Sequence, residues 1–286
     1  MILVTGATGH LGTAVLHTLL QHTPAQRVAA LVRDPAKAAA WQAQGVSLRV
    51  GNYSDPASLD QAMQGIEQVL LISGGGDDDG LQQHLNVIDA AKKAGVRTVA
   101  YTSRALQDPA TLANKLMVRH FQTEDYLRAS GLRYILFRNI LYMDTLPVFT
   151  GPTVFDTGIS LPAGPGRVAF ALRQDMGEAI AKVLLQNTPG NRIYHFTGAT
   201  AYSFADVAAA LTEASGRPVA YHDVEPEVLA SRMRERGVPE VAIQRTIGFM
   251  TDIKHGQESM VSPDLATALG RQPTSLLEGV KQLYQL

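Results

Sequence analysis

Short apolar runs alternate with longer segments of helical periodicity through the first half of the chain. Apolar runs bounded by turn residues are typical of buried strands, and their regular alternation with helices is typical of βαβ units. The pattern predicts six strands, over residues 2–5, 27–33, 47–50, 68–73, 98–102 and 133–138. We therefore predict an α/β fold built on a doubly wound parallel sheet.

The segments between these strands are predicted to be helices, over residues 11–21, 35–44, 56–64, 80–94 and 112–129. Asp34 and Asp55 each precede a proline, a pair typical of an N-cap followed by the first helical residue. Four of the helices are followed by a glycine suited to a left-handed cap: Gly45, Gly65, Gly95 and Gly131. These start and stop signals support the predicted helices.

The regular alternation ends after Asn139, where turn-rich stretches begin, such as residues 162–166. The remaining pattern predicts short strands over 192–196 and 219–223 and helices near 175–186, 204–215, 226–236 and 274–285. Asp175 is interpreted as the N-cap of the first of these helices. We predict a doubly wound domain over 1–145 and a smaller mixed α/β lobe over 146–286. The helix near 175–188 is expected to pack back onto the first domain.

Composition excludes several classes of protein. The 286 residues include 25 Lys and Arg against 26 Asp and Glu, a formal charge of −1, with 45% apolar residues. A near-neutral, apolar-rich chain is typical of a globular protein and argues against nucleic acid as a partner. The absence of cysteine excludes disulfides, a thiolate nucleophile and a thiolate-ligated metal.

The apolar runs are too short for a membrane span, the run over 69–72 being among the longest. The first residues carry no basic region, so we expect no signal peptide. The sequence thus predicts a cytoplasmic protein without a membrane partner, and it leaves the oligomeric state open.

The most informative motif follows the first strand and opens the first helix: Thr5-Gly6-Ala7-Thr8-Gly9-His10-Leu11-Gly12. Gly6 would make the tight turn, Gly9 would let the backbone approach a pyrophosphate, and Gly12 would let helix and sheet pack closely. Free N–H groups at the helix start would then bind the anion. The motif predicts a dinucleotide site formed by Gly6, Ala7, Thr8, Gly9, His10, Leu11 and Gly12; an ordinary turn is the alternative.

The residue that ends the second strand selects the nucleotide. NAD sites place an acidic residue there for the ribose 2′-hydroxyl, whereas a 2′-phosphate favours arginine. Here Arg33 stands 21 residues after Gly12. The neighbouring Asp34 has a structural role as an N-cap. We predict NADP(H) as the preferred cofactor, with NAD(H) as the alternative.

The glycine spacing, Gly-x-x-Gly-x-x-Gly, resembles that of the short-chain dehydrogenase/reductase superfamily, in its atypical NmrA-like branch. Essentially the whole chain carries the resemblance, through residues 5–12, 32–35, 51–55, 70–73, 83–86, 100–103, His120-x-x-Thr123-Glu124 and Arg138-Asn139-x-x-Tyr142. The bacterial NAD(P)H:quinone oxidoreductases and triphenylmethane dye reductases of that branch are the most similar in these motifs. The resemblance implies an NAD(P)-binding Rossmann fold and an oxidoreductase.

Three further strand ends fall on the carboxyl edge of the predicted sheet. Asn52 and Tyr53 would flank the adenine, although an ordinary loop explains them equally well. The backbone of Ser73 and Gly74 would run past the ribose, and Thr102 and Ser103 would lie near the nicotinamide. The acidic run over 77–79 is interpreted as a solvated segment, and no metal site is predicted.

The Tyr-x-x-x-Lys pair of typical superfamily members is absent. Reduction of an isolated ketone benefits from a positioned acid, whereas a conjugated acceptor spreads or neutralises the arriving charge. The absence therefore favours a quinone or dye as acceptor.

Candidate catalytic residues near the nicotinamide are Tyr142, His120 and Asn139. A packed histidine is the alternative for His120, while Glu124 is interpreted as a surface or interlobe ion-pair residue and Arg138 as structural. Residues 164–168 resemble the family's cofactor-closing loop. Four side chains are candidates for an acceptor pocket or for core: Phe149, Phe155, Phe249 and Met250.

The sequence favours an NAD(P)H-dependent oxidoreductase that passes hydride to a quinone-like or dye-like acceptor. The main alternative is an NAD(P)-binding redox-sensing regulator without turnover, since its glycine turn would be the same. An epimerase or dehydratase is disfavoured because those enzymes usually keep the Tyr/Lys pair.

Overall fold

All six strands predicted in the first half lie in one parallel sheet, and a seventh strand from the second half completes it. The computed structural model describes residues 1–74, 79–186 and 188–286. Its strands are β1 Ile2–Val4, β2 Val28–Val32, β3 Ser47–Val50, β4 Gln68–Leu71, β5 Thr98–Arg104, β6 Arg133–Asn139, β7 Ile159–Leu161, β8 Arg167–Val168, β9 Arg192–Phe196, β10 Tyr202–Ser203 and β11 Tyr221–Asp223. The predicted α/β class and doubly wound parallel sheet are confirmed.

The helices of the described chain cover both faces of the sheet and build the second half. They are α1 His10–His22, α2 Ala39–Ala43, α3 Pro56–Ala62, α4 Gly80–Lys93, α5 Val118–Ala129, α6 Leu146–Thr150, α7 Val154–Thr157, α8 Arg173–Gln186, α9 Phe204–Ser215, α10 Pro226–Glu235, α11 Glu240–Lys254, α12 Asp264–Leu269 and α13 Leu276–Tyr284. No helix in the described segments is long and apolar enough to cross a membrane.

The strand order is β3-β2-β1-β4-β5-β6-β9, and every neighbouring pair is parallel. From β1 the chain adds β2 and β3 successively toward one edge of the sheet. It then returns to the middle, where β4 pairs with the other side of β1, and adds β5, β6 and β9 toward the opposite edge. The order therefore reverses between β1 and β4. Ligands of open α/β sheets bind at such a reversal, outside the carboxyl ends of the strands.

Two apolar cores lie on the two faces of the sheet. One contains Leu16 and Leu19 of α1 and Ile180 of α8, and the other contains Val87 and Ile88 of α4. The apolar residues Leu11, Val15, Leu16 and Leu19 of α1 are buried. Helix α8 packs on α1, as predicted for a helix of the second half.

Glycine allows α1 and α8 to approach closely. A Cβ on Gly177 of α8 would lie 2.4 Å from the Cβ of Ala14, a separation that real Cβ atoms essentially never show. The missing side chain is therefore what lets the two helices pack at this distance.

Several cap predictions are confirmed. The carboxylate of Asp34 accepts from the Ala36 N–H at 3.0 Å, and that of Asp55 accepts from the Ala57 N–H at 3.1 Å. The four glycines predicted to follow helices have positive φ angles between 72° and 88°. Asp34 caps a single 3-10 turn, Pro35–Ala38, which precedes the short α2.

The structure corrects the predicted helix over 112–129. The α-helix begins only at Val118, because the Asp252 carboxylate captures the backbone N–H groups of Ala113 and Asn114 at 2.6 and 3.0 Å. The Asn114 side chain then caps the 3-10 turn Lys115–Met117. A contact with a residue about 140 positions away thus overrides the local helical pattern.

The N-cap assigned to Asp175 is also wrong. Helix α8 already begins at Arg173, whose backbone N–H donates to the Asp144 carboxylate at 2.9 Å. Asp175 lies in the first turn, where its carboxylate accepts from the Arg271 guanidinium and from the Thr274 N–H. It fixes the segment before α13 to α8.

The strand predicted over 192–196 belongs to the main sheet. The sequence predicts this strand for the smaller lobe, but β9 pairs with β6. The paired residues run from Ile135 opposite Arg192 to Asn139 opposite Phe196. Helix α8 crosses the sheet before it, so β6, α8 and β9 form one more βαβ unit. The division of the chain at residue 145 stays a prediction.

Candidate active site

A cavity of about 480 Å³ lies at the carboxyl ends of the strands where their order reverses. It brings together most of the residues predicted to bind the nucleotide, namely Gly6, Thr8, Gly9, Arg33, Asn52, Tyr53, Ser73 and Gly74. Its other lining residues are Leu31, Val32, Gly51, Ser54, Ile72 and Gln83. The strand topology alone predicts a ligand at this place.

The glycine turn has the geometry of an anion cradle. Gly6 has φ +59°, and the Gly9 N–H donates to the Gly6 carbonyl at 3.0 Å, which closes the turn. Helix α1 follows with Gly9 as its N-cap and without a side-chain cap bond. Its first N–H groups and its positive end are therefore suited to an anion.

The remaining residues of the turn lie beneath or beside the cavity. Ala7, Leu11 and Gly12 are buried, and His10 is exposed at the start of α1. A Cβ on Gly12 would lie 2.3 Å from the Gly6 carbonyl oxygen. Gly12 thus permits the close packing of turn and helix that its position in the motif predicts.

Arg33 stands at the end of β2 on the rim of this cavity. Its side chain is exposed and makes no ion pair or hydrogen bond within the described residues. The neighbouring carboxylate of Asp34 is engaged by its cap bond to Ala36. The guanidinium is available to an anionic ligand, while the carboxylate has a structural role.

Asn52 and Tyr53 line the side of the cavity that is predicted to hold the adenine. The Asn52 side chain accepts from the Ser54 N–H at 3.1 Å. The Tyr53 hydroxyl donates to the Ile72 carbonyl at 3.0 Å and contacts the Thr5 hydroxyl, so it fixes the ends of β1 and β4 together. Burial raises the pKa of Tyr53 well above its ordinary value, and the phenol is neutral.

The ends of β4, β5 and β6 carry polar side chains with unmet hydrogen-bonding capacity. The Ser73 N–H donates to the Thr102 hydroxyl at 2.8 Å, which joins β4 to β5. The Ser103 hydroxyl and the Asn139 side-chain oxygen are buried without a hydrogen-bond partner. Buried polar groups are nearly always satisfied, so these atoms point to a ligand at this edge.

Tyr142 follows β6 and is held in place from two sides. The Asn139 amide donates to its hydroxyl at 3.3 Å, and the Arg173 guanidinium lies 4.1 Å from the centroid of its ring. Arg173 was not singled out in the sequence, where it reads only as the start of a helix. The arrangement presents a half-buried phenol beside the unsatisfied Asn139 oxygen.

His120 lies within a buried polar network and does not line the cavity. The Tyr101 hydroxyl contacts His120 Nδ1 at 2.9 Å and His84 Nδ1 at 3.3 Å, and His84 Nδ1 also contacts the Thr123 hydroxyl. Burial, reinforced by nearby cations including Arg119, lowers the pKa of both histidines, that of His84 to about 4. A role for His120 as proton donor stays a prediction.

The buried histidines predict a specific dependence of stability on pH. Unfolded histidine has a pKa near 6.5, so below that value the unfolded chain binds more protons than the folded one. We expect the free energy of unfolding to fall from pH 6.5 toward pH 4, by about 1.4 kcal/mol per pH unit for each histidine. Urea unfolding at several pH values measures the slope. His84→Gln should flatten it, the exposed control His222→Gln should not, and identical slopes would contradict the prediction.

Glu124 forms an ion pair, as predicted, but its partner is Arg138 and the pair is not at the surface. Glu124 is fully buried and binds Arg138 through both oxygens at 2.6 and 2.9 Å, and Arg128 binds it at 2.8 Å. The pair lies within the predicted first domain and joins α5 to β6. Glu124 is therefore structural in this geometry.

Two functional positions were missed in the sequence. The Arg119 guanidinium donates to the Gly74 carbonyl at 3.3 Å and so supports the loop after β4. Arg104 at the end of β5 pairs with buried Glu258, which also accepts from the Leu141 N–H. The partners of each pair are far apart in the chain, so local patterns carry no signal for them.

The four side chains that are candidates for an acceptor pocket lie in different parts of the structure. Phe149 lines a second cavity, of about 650 Å³, in the second half of the chain. Phe249 packs against Arg104, with the guanidinium 6.0 Å from its ring centroid, while Phe155 packs against Tyr284 and Met250 is core. We call this second cavity the arginine cavity, after Arg232, Arg236 and Arg245 in its wall.

The described residues fit a dinucleotide and offer no metal site. The open N–H groups of the glycine turn match a pyrophosphate, and the unpaired arginine at the rim matches a 2′-phosphate. The two buried polar atoms without partners at the far edge match the nicotinamide end. Across the described ranges no group of three His, Asp or Glu is placed to hold a metal ion. Gly75, Gly76 and the acidic residues Asp77 and Asp78 lie outside the described residues.

Comparison with known proteins finds similarity along almost the whole chain. The model of the NmrA-like family matches residues 1–281. Quinone oxidoreductase 2 of Escherichia coli (strain K12) is 35% identical over 287 residues, which cover 100% of this chain and 99% of that protein.

Two solved structures are similar over nearly their full length. The NADPH complex of an Escherichia coli NADPH-dependent quinone oxidoreductase superposes with a TM-score of 0.93 at 35% identity, covering 99% of this chain and 100% of that one. The NADP(H) complex of Citrobacter sp. triphenylmethane reductase gives 0.91 at 34% identity, with coverage of 99% and 100%. The resemblance inferred from the motifs is confirmed, and the chain belongs to the NmrA-like family.

Proposed function

We propose that this protein is an NADPH-dependent oxidoreductase that transfers hydride to a conjugated acceptor such as a quinone or a dye. The observation that carries the proposal is the cavity that joins the glycine turn to the unpaired Arg33. The full-length similarity to an NADPH-dependent quinone oxidoreductase and to a triphenylmethane reductase supports it.

Each part of the cavity has a role in holding the cofactor. The free N–H groups at the start of α1 bind the pyrophosphate, and Arg33 binds the 2′-phosphate. Asn52 and Tyr53 flank the adenine, and Ser73 and Gly74 pass the ribose. At the far edge the ligand-facing groups are Thr102, Ser103 and Asn139. Bound NADPH supplies the hydride.

The chain contributes orientation rather than strong acid–base chemistry. A conjugated acceptor needs the hydride donor at the correct distance and angle, and immobilisation of both partners supplies much of that rate. Tyr142, placed by Asn139 and Arg173, is the nearest candidate to donate a proton to a reduced quinone oxygen. His120 would have to act through the Tyr101 network, since its ring is enclosed.

One experiment tests the function. Oxidation of NADPH is followed at about 340 nm with a panel of quinones, a triphenylmethane dye and simple ketones. We expect turnover with conjugated acceptors and little with ketones. Tight NADPH binding without oxidation by any acceptor would instead support the redox-sensing regulator.

Tyr142→Phe tests the proposed proton donor. We expect kcat/KM to fall about tenfold with quinones, less than the roughly 10²–10⁴-fold contribution of a general acid, because the conjugated product carries its charge diffusely. A cationic dye is neutralised by hydride alone and should be reduced at the original rate. Tyr126→Phe, an exposed phenol that bonds Asp89, is the matched control. Unchanged quinone turnover in Tyr142→Phe would remove the donor role.

A further inference from the structure

The arginine cavity, about 650 Å³ in volume, is large enough for an aromatic molecule. Part of its wall is apolar, formed by Val148 and Phe149 of α6, Leu229 and Met233 of α10, and Val238. A concave apolar wall with a few charged groups is the usual composition of a small-molecule site. Nothing in the nucleotide cavity requires this second one.

The charged side chains of the arginine cavity are unusual in lacking partners. Arg232, Arg236 and Arg245 line it, and none makes an ion pair or side-chain hydrogen bond within the described ranges. Glu235 is the one carboxylate in its described wall, which leaves a formal surplus of two positive charges. The protein as a whole carries −1, so the positive charge is local.

Arg234, which lies on α10 with Arg232, is by contrast an arginine with carboxylate partners. It binds Glu227 at 2.7 Å and Glu240 at 3.0 Å and does not line the cavity. The three cavity arginines have no such carboxylates. Guanidinium groups that line a partly apolar cavity without ion-pair partners are suited to a ligand carboxylate or sulfonate.

The position of the cavity connects it with the reaction. Arg245 and Phe249 are one turn apart on the same face of α11, about 6 Å along its axis. Phe249 packs on Arg104, the last residue of β5, beside the candidate nicotinamide edge. On the other side, α6 begins four residues after Tyr142. The two walls are therefore connected, through α11 and α6, to residues beside the candidate nicotinamide edge.

We propose that the arginine cavity binds the acceptor and selects conjugated aromatic acceptors that carry an anionic substituent. This inference rests on the proposed function for the reaction itself. The arginines hold the carboxylate or sulfonate, and the apolar wall packs on the ring. The same positive charge repels cationic triphenylmethane dyes, so this chain differs in acceptor preference from a reductase suited to them.

Kinetics with a matched pair of acceptors test the selectivity. The measured quantity is kcat/KM for 1,4-naphthoquinone-2-sulfonate divided by that for 1,4-naphthoquinone. The triple variant R232Q/R236Q/R245Q should lower this ratio about tenfold, the combined effect of three partly screened charges. R232K/R236K/R245K, which keeps the charges, should retain most of it, and the control R234Q should leave it unchanged. An equal ratio in the triple glutamine variant and R234Q would overturn the proposal.

A binding measurement separates this inference from the proposed function. Fluorescence of 8-anilinonaphthalene-1-sulfonate, an aromatic anion, is titrated with the protein in the presence of saturating NADPH. We expect binding that the sulfonated quinone displaces and that the triple glutamine variant weakens about tenfold. If no acceptor is turned over but this arginine-dependent binding is seen, the hydride-transfer function fails and the anion site stands. Arginine-independent binding would overturn the site even if quinones are reduced.

Discussion

Replacing Arg33 by alanine is expected to raise the KM for NADPH about tenfold or more, while the KM for NADH changes less than about twofold. A hydrogen bond to a charged group contributes about 1.5–3 kcal/mol, and the exposed position of Arg33 places its contribution toward the low end. The two cofactors differ only in the 2′-phosphate, so a guanidinium that binds this group distinguishes them. Its freedom from carboxylate partners in the described chain is what makes it available.

Initial rates at a fixed quinone concentration, with each cofactor varied, measure this effect. Arg27→Ala is the matched control, because that arginine precedes the opposite, amino end of β2. It should leave both KM values unchanged. Equal increases for NADPH and NADH in Arg33→Ala would mean that Arg33 does not bind the phosphate.

Glu258→Ala is expected to lower the free energy of unfolding by about 3–5 kcal/mol, because it leaves the buried Arg104 without a counter-charge. Glu258 and Arg104 are 1% and 9% exposed at the side chain, and the second Glu258 oxygen accepts from the Leu141 N–H at 3.2 Å. Burial holds the pKa of Glu258 above its ordinary value even beside Arg104. The pair connects the segment after α11 to the ends of β5 and β6.

Urea unfolding of four proteins tests the Glu258 prediction. The double variant R104M/E258L removes both charges and should recover most of the loss, since apolar replacement of a whole buried pair is often neutral. Arg97→Ala, which breaks an exposed pair with Glu67, should cost less than about 1 kcal/mol. A Glu258→Ala loss no larger than that of Arg97→Ala would contradict a buried structural pair.

The sheet and the nucleotide cavity could be predicted because their signals are local. Buried parallel strands are continuous apolar runs, and a glycine turn needs its three glycines within seven residues. Arg33 was predictable for the same reason, since it ends the strand that follows the first helix. Residues 68–71 and 98–104 form strands because their apolar side chains pack against helices on both faces.

What the sequence did not predict depends on distant partners. The start of α5 is set by Asp252, and the role of Asp175 is set by Arg271 and Thr274. Helix α11 was missed because Gly248 interrupts its pattern. Glycine suits this close approach, since a Cβ would lie 3.1 Å from the Cβ of Asn114. The arginine cavity likewise joins α6 to α10 and α11, elements whose proximity no spacing indicates.

The pairing of β9 with β6 has a consequence for synthesis of the chain. Until residue 196 has left the ribosome, β6 is an edge strand paired only with β5, and the face of α1 that later receives α8 is uncovered. Such edges invite pairing with other chains. A nascent chain halted between residues 139 and 196 is therefore a candidate for holdase chaperones, and a fragment ending at residue 145 should aggregate more readily than one extended through β9.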